Sequence, residues 1–164
     1  MTGPLTAQLR KEHAKLMPHV DELRVIADCA QDIDAAALQD RICREHVFLT
    51  GEFLPHMEIE QKGWYPALEL IASEGGSLAP MEHAHEEVRS LMDALGQACY
   101  GTDQALDAYW VLGARRTLYQ LYALLKVHLA EEELHAPVLE RQLSEAQATG
   151  LAAQLEFGEP PAGR

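Results

Sequence analysis

Apolar residues recur at alternating spacings of three and four along most of this chain, with charged residues filling the gaps. In the first stretch the recurring set reads Leu9, His13, Leu16, Val20, Leu23 and Ala27. The second reads Ile42, His46, Leu49, Phe53, His56 and Glu60, and the third Met81, His85, Val88, Met92, Leu95 and Cys99. The fourth reads Trp110, Ala114, Thr117, Leu121, Leu124, His128, Glu132, His135 and Leu139. This spacing places each set on one face of an α-helix. No stretch alternates with the period of a strand. The segments AQDID, SEGGSLA and YGTD interrupt the pattern, which predicts helices over Pro4–Cys29, 34–73, 80–99 and 103–143. Links this short fold successive helices back on one another, so the expected fold is an all-α, antiparallel up-down four-helix bundle. Ser144 and Gln147 have capping-box spacing and predict a short tail helix over 145–157, followed by a disordered GEPPAGR. The expected division is a helical domain over 1–143 and a tail over 144–164. Pro18 and Pro55 fall inside helical patterns, and Pro66 with Gly63 suggests that the second helix is two pieces meeting near 62–66.

The polar members of these sets change the picture. Each segment turns a histidine inward: His13, His56, His85 and His128. Glu60 and Glu132 follow two of them by one helical turn on the same face. His46 is also in line, but it stands about 15 Å from His56 along the axis. His19 and His83 face outward. A single inward histidine is ordinarily a hydrogen-bonded core residue. Four of them with two in-line carboxylates are harder to explain that way. An unpaired buried carboxylate costs several kcal/mol, and Lys62 and Lys126 lie off the inward faces. A bound cation would compensate both glutamates together.

Imidazole and carboxylate without thiolate suit iron, manganese or zinc. Six ligands exceed the four of a closed zinc site. They divide naturally between two ions, two histidines to each, with Glu60 and Glu132 bridging. Iron is the preferred assignment, and di-zinc and di-manganese share the spacing. A ferritin-like arrangement would use Glu82-x-x-His85 and Glu132-x-x-His135, but it leaves His13 and His128 buried without a task.

Charge and composition narrow the partners. Lys and Arg number 13 against 26 Asp and Glu, a formal net charge of −13. Such a surface disfavours nucleic acid and anionic membranes. No apolar run approaches the ~18 residues of a membrane span, and the N-terminus lacks the apolar core of a signal peptide, so a cytoplasmic location is expected. Cys29, Cys43 and Cys99 are odd in number and widely spaced. They are expected to be small core residues rather than disulfide partners or zinc ligands.

The segments LRKEHAKLMPHVDELR, LPHMEIEQKGWYPALE, MEHAHEEVRSLM and LYALLKVHLAEEELHAPVLE together resemble the hemerythrin-like, or HHE cation-binding, family over about residues 5–140. That family has a histidine on helix 1, His-x-x-x-Glu on helix 2, a histidine on helix 3 and His-x-x-x-Glu on helix 4. The resemblance implies His13, His56, Glu60, His85, His128 and Glu132 as ligands of two non-haem irons bridged by oxo or hydroxo. The chain departs from oxygen-carrying members, which have two histidines four apart on helix 3; Met81 and Arg89 stand there instead. Glu131 or Glu133 could replace Glu132, because Pro137 follows the fourth motif sooner than Pro66 follows the second. Tyr65 is a further candidate ligand, since some relatives resemble this segment and place a tyrosine near iron. Its ordinary reading is a core aromatic beside Trp64.

The implied function is binding or processing of O2, peroxide or NO, with no segment attached that would make the chain part of a larger sensor. A catalase-like enzyme is one alternative. A metal-free or zinc-stabilised interaction module, docking through acidic faces such as Glu131–Glu133, is another.

Overall fold

A computed structural model describes residues 3–72, 79–101 and 105–155. Helix α1 is Pro4–Cys29. Helix α2 covers 35–72 without a break in helical backbone. Helix α3 is Ala79–Tyr100, α4 is Ala108–Gln142, and a short α5 is Glu145–Leu155. The expected breaks over 73–78 and 102–104, and the GEPPAGR terminus, lie outside the described residues. Helix starts follow their sequence signals. Asp34 accepts hydrogen bonds from the Ala36 and Ala37 N–H groups, and Asp107 from those of Tyr109 and Trp110. Ser144 and Gln147 cap each other's backbone, as their spacing predicts.

The start of α1 has no local side-chain cap. Its cap comes from the far end of the chain. Glu140 accepts from the Leu5 N–H at 2.8 Å and from the Thr6 hydroxyl at 2.6 Å. Carboxylate charge at a helix N-terminus is favourable, and this one also ties the start of α1 to the end of α4.

Helix α2 is not two pieces. It contains two π-turns, Leu49–Phe53 and Glu60–Trp64, between α-helical stretches Ala35–Phe48, Leu54–Ile59 and Tyr65–Ala72. In each turn an N–H reaches back five residues, from Leu54 to the Leu49 carbonyl and from Tyr65 to the Glu60 carbonyl. Pro55 and Pro66 come one residue later. The widened turns accommodate the proline rings and the missing donors within an unbroken run of helical backbone.

The four long helices close into a ring in the order α1, α2, α3, α4, with α4 back against α1. Helix α5 lies across α1 and the second half of α2. It buries Ala148, Ala152 and Leu155. Two apolar clusters fill the bundle. One is built around Leu16, Phe53, Val88 and Leu125, the other around Leu5, Trp64, Met81 and Leu139. A buried polar layer separates them. No helix among the described residues is long and apolar enough to cross a membrane.

Every expected inward residue of α1 and α3 is buried. Helices α2 and α4 differ in detail. On α2 the buried position is Glu45 rather than His46, and Glu45 pairs with His19 at 3.0 Å. His19 is therefore not simply solvated: its ring also stacks on Phe48 at 3.6 Å. On α4, Leu118, Leu125 and Ala136 turn inward in place of Thr117, Leu124 and His135, and His135 is exposed. The cysteine expectation fails: two of the three pair with each other, and the third is only half-buried. Cys43 and Cys99 form a disulfide between α2 and α3, while Cys29 stays free and its sulfur accepts from Arg41. Two cysteines 56 positions apart give no local cue to pairing; the antiparallel packing of α2 and α3 brings them together.

Candidate metal centre

The polar layer is built by four helices. Helix α1 brings His13, α2 brings His56 and Glu60, α3 brings His85, and α4 brings His128 and Glu132. All six are at most 1% exposed. Their donor atoms fall into two four-donor groups, His13–His56–Glu60–Glu132 and His85–His128–Glu60–Glu132, each with its atoms within 4.8 Å of one another.

The two glutamates belong to both groups, and their oxygens divide accordingly. Glu60 Oε1 stands 2.8 Å from His56 Nε2, and its Oε2 stands 3.6 Å from His85 Nε2. Glu132 Oε2 stands 3.4 Å from His13 Nε2, and its Oε1 stands 3.2 Å from His128 Nε2. Each carboxylate therefore spans the gap between one histidine pair and the other. The two π-turns bear on this arrangement. The first lies just before His56, and the second begins at Glu60.

Neighbouring residues orient the rings. His13 Nδ1–H donates to Glu133 Oε1 at 3.1 Å, which leaves Nε2 directed inward. Arg10 lies 3.5 Å from the other Glu133 oxygen. Glu131 is exposed and Glu133 half-buried, so Glu132 alone of the three reaches the layer. Glu12, which the sequence places off the inward face, is buried as well, and it is paired with Lys15 and Gln8. Glu82 and His135 are exposed, which removes the ferritin-like alternative. His83 faces outward as expected.

Tyr65 does more than pack. It is 2% exposed and lies beside Trp64 in the second apolar cluster. Its hydroxyl donates to Glu132 Oε1 at 3.1 Å and stands 2.9 Å from His85 Nε2. The phenol oxygen thus reaches the His85–His128 group.

Electrostatics in the layer are strained. Burial raises Glu60 well above the ordinary carboxylate range, and the charge of Glu132 adds to this. Burial pushes His56 down to about 4 and His85 down to about 3. His128 is penalised by burial too, but its hydrogen bond and charge contact with Glu132, aided by Glu60, raise it overall. For Glu132 burial is outweighed by His128 and His13, and the carboxyl is held below its usual range. Burial and the two carboxylates drive Tyr65 upward. Neither Glu60 oxygen meets a hydrogen bond of acceptable angle, nor does Glu132 Oε2 or His13 Nε2. The Nε2 atoms of His85 and His128 face each other at 2.7 Å, a contact in which only one nitrogen can carry a hydrogen. Buried, converging and unsatisfied nitrogen and oxygen donors are the setting that a cation completes, and a donor set of this kind fits one.

A family model described as the hemerythrin HHE cation binding domain matches residues 4–137. No curated protein and no solved structure matches the chain. The match takes in all six residues of the polar layer, and the chain belongs to the hemerythrin HHE cation-binding domain family.

Proposed function

We propose that the protein is a non-haem di-iron protein that binds or processes O2, peroxide or NO. The observation that carries this reading is the sharing of Glu60 and Glu132 between two four-donor groups. Two shared carboxylates and two private histidines per ion suit a pair of metals ~3.5–4 Å apart. In this reading His13 and His56 would hold one iron and His85 and His128 the other, with Glu60 and Glu132 available to both. Nitrogen and oxygen donors without thiolate suit iron, and a bound iron pair would supply redox chemistry toward small oxygen and nitrogen species.

The protein's own contribution is placement and exclusion. Glu133 fixes the tautomer and direction of His13. The two apolar clusters close the layer from both ends of the bundle, so that a small neutral molecule enters more readily than a large hydrated reductant. Tyr65 offers either a proton at its hydroxyl or, once ionised, a fifth donor to the His85–His128 group.

Metal analysis and a visible spectrum test the reading. Protein made with iron supplied should hold two irons per chain and show charge-transfer absorption of a bridged ferric pair. One zinc, or no metal, would reject it and return the acidic interaction module to consideration. A tyrosinate-to-iron band that Tyr65→Phe removes would make Tyr65 a ligand; its absence leaves Tyr65 as a proton donor. Rapid O2 evolution from peroxide, lost in His56→Ala, marks the catalase-like version. Reversible O2 binding without turnover marks a carrier or sensor.

A further inference from the structure

Helix α4 carries an apolar stripe on the side away from the polar layer. Tyr109, Leu112, Val127, Leu134 and Val138 are 85%, 58%, 56%, 73% and 46% exposed. At ~100° per residue, these positions stay on one side of the helix together with Arg116, Gln120, Ala123 and Ala130, all of them exposed. The stripe runs about 45 Å at ~1.5 Å per residue. Single exposed apolar residues are ordinary, whereas five aligned on one helix face, broken between Leu112 and Val127 by Arg116, Gln120 and Ala123, mark a contact surface.

Charge order along the stripe specifies the partner. Arg116 stands in its N-terminal half and Glu131 in its C-terminal half, both exposed. The complement of that order is the same helix run in reverse. With a two-fold axis passing between Ala123 and Leu124, Arg116 of each copy meets Glu131 of the other. Tyr109 then meets Val138, and Gln120 meets Val127. Ala123 at the axis lets the backbones approach closely. Shape agrees with charge. A concavity of about 480 Å³ on the same face is lined by Leu112, Arg115, Arg116, Tyr119 and Gln120. The same register brings the protruding Leu134 of the second copy over that hollow, and the two-fold repeats the fit.

We infer that the outer face of α4 is a homodimer interface: two copies pack this helix antiparallel, Leu134 of each seats in the Leu112–Tyr119 hollow of the other, and Arg116 pairs with Glu131. The inference is independent of the metal reading, because the stripe lies opposite His128 and Glu132 on α4.

Sedimentation equilibrium of the full chain tests it, with far-ultraviolet circular dichroism as the folding control. The native chain should be dimeric at micromolar concentration. Leu134→Asp, introduced twice by symmetry at the centre of a knob-and-hollow contact, should weaken association by about a hundredfold or more. Val127→Glu serves as a second disruptor should Leu134→Asp lose helix. Arg116→Glu places like charges opposite one another at two points and should weaken association by roughly tenfold. Arg116→Glu combined with Glu131→Arg should restore it. A native chain that stays monomeric, or a dimer indifferent to both disruptors, overturns the interface. A double variant no better than Arg116→Glu alone overturns the antiparallel register.

Discussion

Glu60 and Glu132 stand together in the interior, both with zero exposure, and without a cation they cannot both keep a full charge cheaply. Glu132 stays ionised beside a His128 that is raised, while Glu60 is raised toward its neutral form. Protons thus hold the places that metal would take. Loading metal near neutral pH should release protons from Glu60 and His128, measurable by calorimetric titration in buffers of different ionisation enthalpy; no buffer dependence would contradict this charge distribution. The histidines give a second test, on the metal-free protein. His56 is lowered from 6.5 to about 4, so the unfolded chain takes up its proton first as pH falls. The stability tied to keeping His56 neutral is whole above pH 6.5 and is lost toward pH 4, by at most about 3 kcal/mol. Glu60 works in the opposite direction above 4.5, because there the folded state binds the extra proton, so the net loss is steepest below about 4.5. His56→Leu should flatten the slope of urea midpoint against pH between 6.5 and 4.

At the scale of elements, the spacing of three and four was enough to find four helices and all six residues of the polar layer. It failed where neighbouring positions compete for one face. Glu45 looks like a surface residue and His46 like a seam residue, yet Glu45 is buried because His19 partners it. On α4, Ala136 rather than its neighbour His135 turns inward. The π-turns were only half legible. Pro55, Gly63 and Pro66 signalled an irregularity, but a break and a widened turn have the same sequence cue. Tyr65 was legible as a buried aromatic; its hydroxyl contact depends on the turn that starts at Glu60. The first π-turn gives a prediction. Such a turn takes up one extra residue without changing the phase of the helix on either side, so deleting exposed Gly51 should return it to α-helix and leave His56 and Glu60 facing the layer. Metal content and helical signal should both survive; a sharp fall in metal content would show that the widened turn itself is needed to place the ligands. Gly51→Ala and Gly150→Ala meet open space, and each should stabilise the fold by about 0.5–1 kcal/mol in a thermal melt.

Across the whole molecule, two long-range ties close the bundle. The Cys43–Cys99 bridge joins α2 to α3 across 56 positions, a loop whose closure is worth roughly 4 kcal/mol in the chain-entropy picture. A reductant should therefore lower the melting temperature of the native chain and leave that of Cys43→Ala unchanged. Under reducing conditions the pair would stand as thiols, and the protein would have the lower of the two stabilities. The other tie joins the chain's beginning to its end. The start of α1 is capped by Glu140, 135 positions later, and His13 is oriented by Glu133, 120 positions later. Ribosomes add about 5–20 residues per second, so α1 must wait some ten seconds for its cap and for the carboxylate that aims its histidine. The polar layer is thus assembled only after α4 has been made, and a nascent chain that has not reached it offers metal no finished cage to enter early.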